Sequence, residues 1–296
     1  MAVVKMDALR GVLVADAASM GLHWLYDHEQ IAAVESTGSL LFRQPDANIF
    51  KGRKAYFAHA GRYAGQLSHY GESAWLMNTV CADGSYDSSV HRQVFFDTFG
   101  PCGSFVGYAD RPTKALVARI ITEADDLEDP TGMIDDQMPG LCPVAAIFAC
   151  GLPRDDTARA VGVISVHQDV LDSALLLHDC LGCIADGMPL KAALKQTATS
   201  GSSTIHKLVQ EALSIQEYQP LEVAMQFGLA CHVPQGMPIV WHILNHVEDF
   251  ESAVRDNIRC GGDSCGRAMS LGAIAGLAFD IPADMLDAMD ATYSII

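Results

Sequence analysis

Apolar residues recur at three- and four-residue intervals along most of this chain, and prolines cut the pattern into short pieces. The repeat runs through 6–19, 74–82, 89–99, 114–123, 142–150, 167–185, 190–198, 203–215, 220–231, 237–247, 249–259, 263–279 and 283–290. That spacing lines one face of a helix, whereas a half-buried strand needs strict alternation. Pro101, Pro112, Pro130, Pro139, Pro153, Pro189, Pro220, Pro234 and Pro282 stand between the pieces, where a residue without an amide hydrogen breaks a helix. No Asn-Gly or Asp-Gly hairpin joins two β-branched runs. The sequence predicts an all-α fold.

Of the 296 residues, 50% are hydrophobic and only 19% charged, which suits a large buried core. No composition shift, repeat or low-complexity tract marks a linker, so one domain over 1–296 is expected. The apolar runs 142–152 and 271–279 fall short of the roughly 18 residues that span a bilayer. The N-terminus mixes its charges into an amphipathic pattern and lacks the layout of a secretory signal. The nine cysteines, an odd number spread through apolar stretches, read as reduced thiols in a cytoplasmic protein. Cys180 and Cys183 form a CxxC with no strand before it and no partner pair, and are read as core. A net charge of −17 argues against nucleic acid and anionic membranes as partners. It leaves room for a small anionic ligand, which a helix N-terminus or a bound cation can attract.

Three long connections, 35–70, 100–112 and 124–141, are of the kind that carries function. Four patches carry the candidate chemistry. The richest is 260–279, where a Gly261-Gly262 turn delivers Asp263 and Cys265 to the start of a small-residue helix. Those residues are either a cap on a glycine-rich loop or groups presented at a positive dipole end. In 14–27, Asp16 lies in an apolar helix where a bare carboxylate is costly to bury. His23, beside Trp24 and Tyr26, is either a hydrogen-bonded core imidazole or a functional one. Glu72 and Ser73 sit where a loop enters a helix and are read as caps or as site residues, as are His167 and Asp169. No Walker loop, GxGxxG, HExxH or GxSxG appears.

Together these patches resemble the ADP-ribosylglycohydrolase superfamily, most closely its J1-crystallin-like branch, over essentially the whole chain. Asp16-Ala-Ala-Ser-Met-Gly-Leu-His23 is similar to the family's opening Gly-Asp-Ala-Leu-Gly motif and the Glu after it. Tyr70-Gly-Glu-Ser73 falls where the family has Thr-Asp-Asp-Thr. Residues 137–146 look like its substrate loop, and Val166-His167 like its Thr-His helix start. Gly261-Gly-Asp-Ser-Cys-Gly266 lies on Gly-Gly-Asp-Thr-Asp-Thr. The resemblance implies a compact single-domain orthogonal helical bundle with a cleft on one face. It also implies two Mg²⁺ ions that orient the ribose of an ADP-ribosyl group while its anomeric bond is cleaved.

The metal positions depart from that pattern. Gly71 and Glu72 replace two aspartates, His23 replaces the opening Glu, and Cys265 and Gly266 replace an Asp and a hydroxyl. Only Glu72 and Asp263 remain as carboxylates there, and a thiol and an imidazole suit Mg²⁺ poorly, so the magnesium pair is not carried over. One softer ion such as Zn²⁺, on His23, Asp263, Cys265 and Glu72, is the alternative.

The expected activity is a hydrolase-like one on an ADP-ribosyl or related nucleoside-type N-glycosidic small substrate. Its catalytic residues are Glu72, Asp263, Cys265 and His23, with Cys265 as nucleophile if His23 is its base. Asp16, Ser73, Gln137, Gly140, His167, Gly262 and Arg267 are expected to bind substrate. The competing readings are a catalytically degenerate, crystallin-like structural protein and a non-hydrolysing ADP-ribose or nucleotide binder.

Overall fold

The structure, a computed structural model, describes residues 2–123 and 130–293. The acidic residues 124–129 of the third long connection lie outside it. Among the described residues, extended pairing is confined to three isolated bridges, and the rest is helix and connection. The fold is all-α, as the periodicity requires.

Two helices far apart in sequence form its axis, Ala2–Ser19 and Ser264–Ala278. Both are buried all round rather than on one stripe. Every residue from Ser264 to Gly276 is buried, and in the first helix so are Leu9, Val12, Leu13, Val14 and Ala15. Glycine lets the two backbones touch. A Cβ at Gly272 would lie 2.5 Å from the Gly11 carbonyl oxygen, and one at Gly276 would lie 2.3 Å from that of Asp7. Val144–Ala149, Gln168–Ala185, Val233–His246, Phe250–Arg259 and His69–Trp75 surround the pair and bury its remaining faces. Gly272→Ala is therefore expected to cost about 1–3 kcal/mol through overpacking, read as a lower urea midpoint with an unchanged slope.

Several prolines start helices instead of separating them. Pro112, Pro220 and Pro234 fall in the first turns of Arg111–Thr122, Pro220–Phe227 and Val233–His246, where the missing N–H has no partner to lose. The last of these helices therefore begins before the expected 237. It also runs through Pro238, which is buried. Besides the four-residue Ala47–Phe50, two helices lack an apolar repeat strong enough to be read in advance, His28–Thr37 and Arg154–Ile164. The first buries only Ile31 and Val34, and the apolar face of the second is interrupted by Gly162.

Candidate active site

The site is built around Asp263. Gly261 and Gly262 both take left-handed backbone (φ +71° and +63°), and a Cβ at Gly262 would meet the Leu229 carbonyl at 2.3 Å. Arg267, one turn into the following helix, pins this turn from inside. Its buried guanidinium donates to Asn257 Oδ1 (2.8 Å), Asn257 O (2.9 Å) and Gly261 O (2.6 Å). Asp263 then caps the helix by accepting from Gly266 N at 3.2 Å. Gly266 leaves room for this cap, since a Cβ there would stand 2.2 Å from Asp263 Oδ2.

Asp263 is the first member of a buried chain of side chains. Its Oδ1 lies 2.8 Å from His23 Nε2, and His23 Nδ1 lies 2.7 Å from His59 Nε2. Tyr70 donates its hydroxyl to Asp263 Oδ2 at 3.2 Å. Burial pushes the Asp263 carboxyl up, but the His23 hydrogen bond and the nearby Arg267 charge win and hold it below its ordinary value. Burial lowers both histidines, His59 strongly, against the partial support that Asp263 gives His23. The chain is thus an aspartate anion followed by two neutral imidazoles. Protonation follows from that: His23 Nε2 donates to Asp263, His59 Nε2 donates to His23 Nδ1, and His59 Nδ1 carries a bare lone pair. That last nitrogen is buried and has no hydrogen-bond partner.

Aromatic rings enclose the relay. Trp24 lies 4.3 Å from the His23 ring, and His69 lies 6.3 Å from His59, with its Nε2 on Asp110 at 3.2 Å. His69 Nδ1 is also buried without a hydrogen-bond partner, and Trp24 Nε1 has only the weakly accepting sulfur of Cys231. Trp24 has φ +62°, rare for a bulky residue. It is fixed there by two backbone bonds, its N–H to Gly262 O (2.8 Å) and its carbonyl accepting from Tyr56 N (3.0 Å). Outward of Trp24, Tyr56 and Tyr108 complete a triangle with ring separations of 5.3–5.7 Å, and Lys114 sits 4.7 Å above Tyr108.

The structure brings only part of the expected set together. His23, Asp263 and Cys265 share this site, but Glu72 does not belong to it. Tyr70 and Glu72 are two residues apart on one helix and leave it on opposite sides. Tyr70 reaches Asp263, while Glu72 is held by Arg62 Nη2 (2.7 Å) and the Tyr293 hydroxyl (2.5 Å). Glu72 and Asp263 therefore do not form the expected metal pair, nor does Glu72 join a zinc set.

Cys265 is not arranged as a nucleophile. Its Sγ faces the Asp16 carbonyl oxygen at 3.7 Å, and burial together with Asp16 and Asp263 drives its thiol well above the ordinary value. His23 has both nitrogens committed elsewhere and is not its base.

The expected binding residues are mostly occupied by the fold. Asp16 accepts from Ser68 N (2.7 Å) and Oγ (2.6 Å), and burial raises its carboxyl to about 6. A Cβ at Gly71 would stand 2.2 Å from Asp16 Oδ2, so glycine leaves the space that the carboxylate occupies here. Ser73 is buried beside the Cys142 thiol. Gln137 donates to Asp135, Gly140 packs against Val170, and His167 caps Gln168–Ala185 by accepting from Asp169 N. Arg267 spends its guanidinium on the Gly261-Gly262 turn. The sequence reading missed His59, His69 and Tyr108, which sit in the long connections or at their edges. The available signal was His59 itself, an imidazole between two alanines in a stretch with no helical repeat.

A family model described as ADP-ribosylglycohydrolase matches residues 6–295. The chain belongs to the ADP-ribosylglycohydrolase family. It is 24% identical over 284 residues to Crystallin J1A of Tripedalia cystophora, covering 90% of this chain and 84% of that protein. Its fold matches a solved structure titled "ADP-ribosylglycohydrolase-related protein complex" with a TM-score of 0.72 and 14% identity, over 97% of this chain and 92% of that one. The resemblance to the ADP-ribosylglycohydrolase fold therefore holds over nearly the full length.

The residues at the family's metal positions do not fit a magnesium pair. Mg²⁺ takes octahedral oxygen ligands. Here Glu72 is turned away, Gly71 has no side chain, and Asp263 is bonded to His23, Tyr70 and Gly266. Among the described residues, the group of His, Cys, Asp and Glu spaced to hold an ion is His23, His59 and Cys265. No helix among them is long and apolar enough to cross a membrane.

Proposed function

We propose that this ADP-ribosylglycohydrolase family member is a hydrolase-like enzyme that cleaves an ADP-ribosyl or related nucleoside-type glycosidic bond without a magnesium pair. The observation that carries the proposal is the unpaired end of the relay. An unpaired buried polar group costs about 1–3 kcal/mol, and the rings of His59 and His69 hold two such nitrogens beside the poorly satisfied indole of Trp24. A filled structural core has no reason to carry them, whereas a substrate hydroxyl or attacking water pairs them. The strained Trp24 backbone at the same place agrees with a functional site.

In this reading His59 Nδ1 takes a proton from water as that water attacks the anomeric carbon. The His59 Nε2 proton passes to His23 Nδ1, and the resulting imidazolium is neutralised by Asp263. Return of a proton along the same chain to the departing oxygen or nitrogen restores the relay. The triangle of Trp24, Tyr56 and Tyr108 offers ring faces for a base or ribose, and Lys114 supplies local positive charge for a diphosphate on a chain of net charge −17.

The test is release of ADP-ribose from arginine- and serine-linked ADP-ribosyl peptides, with and without added Mg²⁺. Turnover independent of Mg²⁺, and a fall in kcat of about 10²–10⁴ in His59→Gln, is the expected result. No release from any such substrate over long incubation removes the hydrolase reading.

One observation favours a crystallin-like, non-catalytic alternative. His23, His59, His69, Tyr70 and Trp24 are all at most 7% exposed, so the relay is closed to solvent in this conformation. ADP-ribose that neither raises the thermal midpoint nor is released from a substrate selects that alternative. A raised midpoint without release selects a binder.

A further inference from the structure

We infer that His23, His59 and Cys265 form a site for one zinc-like divalent ion, held by two imidazole nitrogens and one thiolate. One ring nitrogen from each histidine and the Cys265 Sγ lie within 4.8 Å of one another, and all three residues are buried to 2% exposure or less. The set differs from the family's metal positions in its chemistry. Nitrogen and sulfur donors suit Zn²⁺, and three protein ligands leave a fourth position for water or substrate.

The second observation is the carboxylate behind the first ligand. Metal-bound histidines commonly donate their other N–H to a carboxylate, which fixes the tautomer and aims the free lone pair at the ion. Asp263 does this to His23 Nε2 at 2.8 Å, so the nitrogen left to bind is Nδ1, the one that faces His59.

The geometry needs only a small adjustment. Bonds of roughly 2.0–2.3 Å in a tetrahedron place ligand atoms roughly 3.3–3.7 Å apart. The present 2.7 Å contact between His23 and His59 must open slightly and the thiol must close in. The hydrogen bond between the two imidazoles is then the state of the site without its ion. Proton balance follows: the ion replaces the thiol proton of Cys265, which is released. The His59 proton moves from Nε2 to Nδ1, turning the unpaired acceptor into a donor. The ion takes the two nitrogens between which the relay proposed above passes its proton, so the metal-bound chain is not the hydrolytic state, and nothing in this inference depends on turnover.

Co²⁺ is the probe, added to full-length protein stripped with a chelator. One equivalent per chain is expected to produce a sulfur-to-cobalt charge-transfer band, release one proton and raise the thermal midpoint. Zn²⁺ is expected to displace it. Cys265→Ser should abolish the band, and His59→Gln, where the glutamine amide can still donate to His23, should weaken binding at least about tenfold. Asp263→Asn should keep the band and weaken binding by about 10–100-fold. Absence of the band in the wild-type chain overturns the inference, as does a band that persists unchanged in both Cys265→Ser and His59→Gln. Metal binding with no hydrolysis by the stripped protein leaves this inference standing and removes only the functional proposal; hydrolysis by the stripped protein without metal binding does the reverse.

Discussion

Replacing Asp263 by alanine is expected to destabilise the chain by about 3–5 kcal/mol and to abolish any turnover. Removing one partner of a buried charged network strands the others. Here the Arg267 guanidinium, 1% exposed, loses an anion that offsets its charge, and His23 Nε2 and the Tyr70 hydroxyl lose their acceptor. The Ser264–Ala278 helix also loses its cap, worth about 1 kcal/mol by itself. Asp263→Asn separates these contributions, since an amide oxygen keeps an acceptor while the negative charge is lost. Urea unfolding of the two variants measures both. A loss below about 1 kcal/mol in the alanine variant would mean that the buried network contributes little to holding the two central helices.

The second large effect is on acid stability, in protein stripped of metal. His23 and His59 have folded values below their ordinary 6.5 because burial resists the charged form. Below pH 6.5 the unfolded chain binds protons at these positions and the folded chain does not. The stability they contribute is therefore present above 6.5 and lost as the pH falls, at up to about 1.4 kcal/mol per unit for each histidine. Asp16 acts in the opposite sense. Its carboxyl is raised from 3.8 to about 6, so the folded state holds the proton more tightly and gains stability on acidification through that window. From pH 6 downward the two histidines lose stability and the Asp16 carboxyl offsets part of that loss. His59→Gln is expected to flatten this profile, and Asp16→Asn to steepen it. Urea midpoints from pH 7 to 4.5 for the three proteins decide it. Identical slopes in all three would remove the charge assignment made for the relay.

The parts of the site legible in the sequence are local ones. Gly261, Gly262, Asp263 and the small residues after them can be read as a turn, a cap and a close-packing helix, because each role depends on neighbours within about one turn. Helical phase is equally local. It places Tyr70 and Glu72 on opposite faces of one helix, so residue spacing by itself separates Glu72 from whatever Tyr70 touches. His59 was not legible. Its partner His23 is 36 residues away, and Asp263 is a further 240 from His23. No periodicity reports such a contact, and a histidine in an irregular connection carries no sign of what it will face. That the Asp16 carboxylate lies against Gly71 is likewise opaque in the sequence, because the two residues meet only when their helices pack.

The amino-acid sequence alone determined the all-α class and the small residues that let two helices meet backbone to backbone. Those follow from residue type and spacing, which act over a few residues. Only the tertiary structure decided which side chains meet there: an aspartate, two histidines and a thiol gathered from three distant segments. It also decided that Cys265 faces a carbonyl instead of a base. Such meetings are set by how helices pack, and packing is a property of the whole chain, not of any stretch of it.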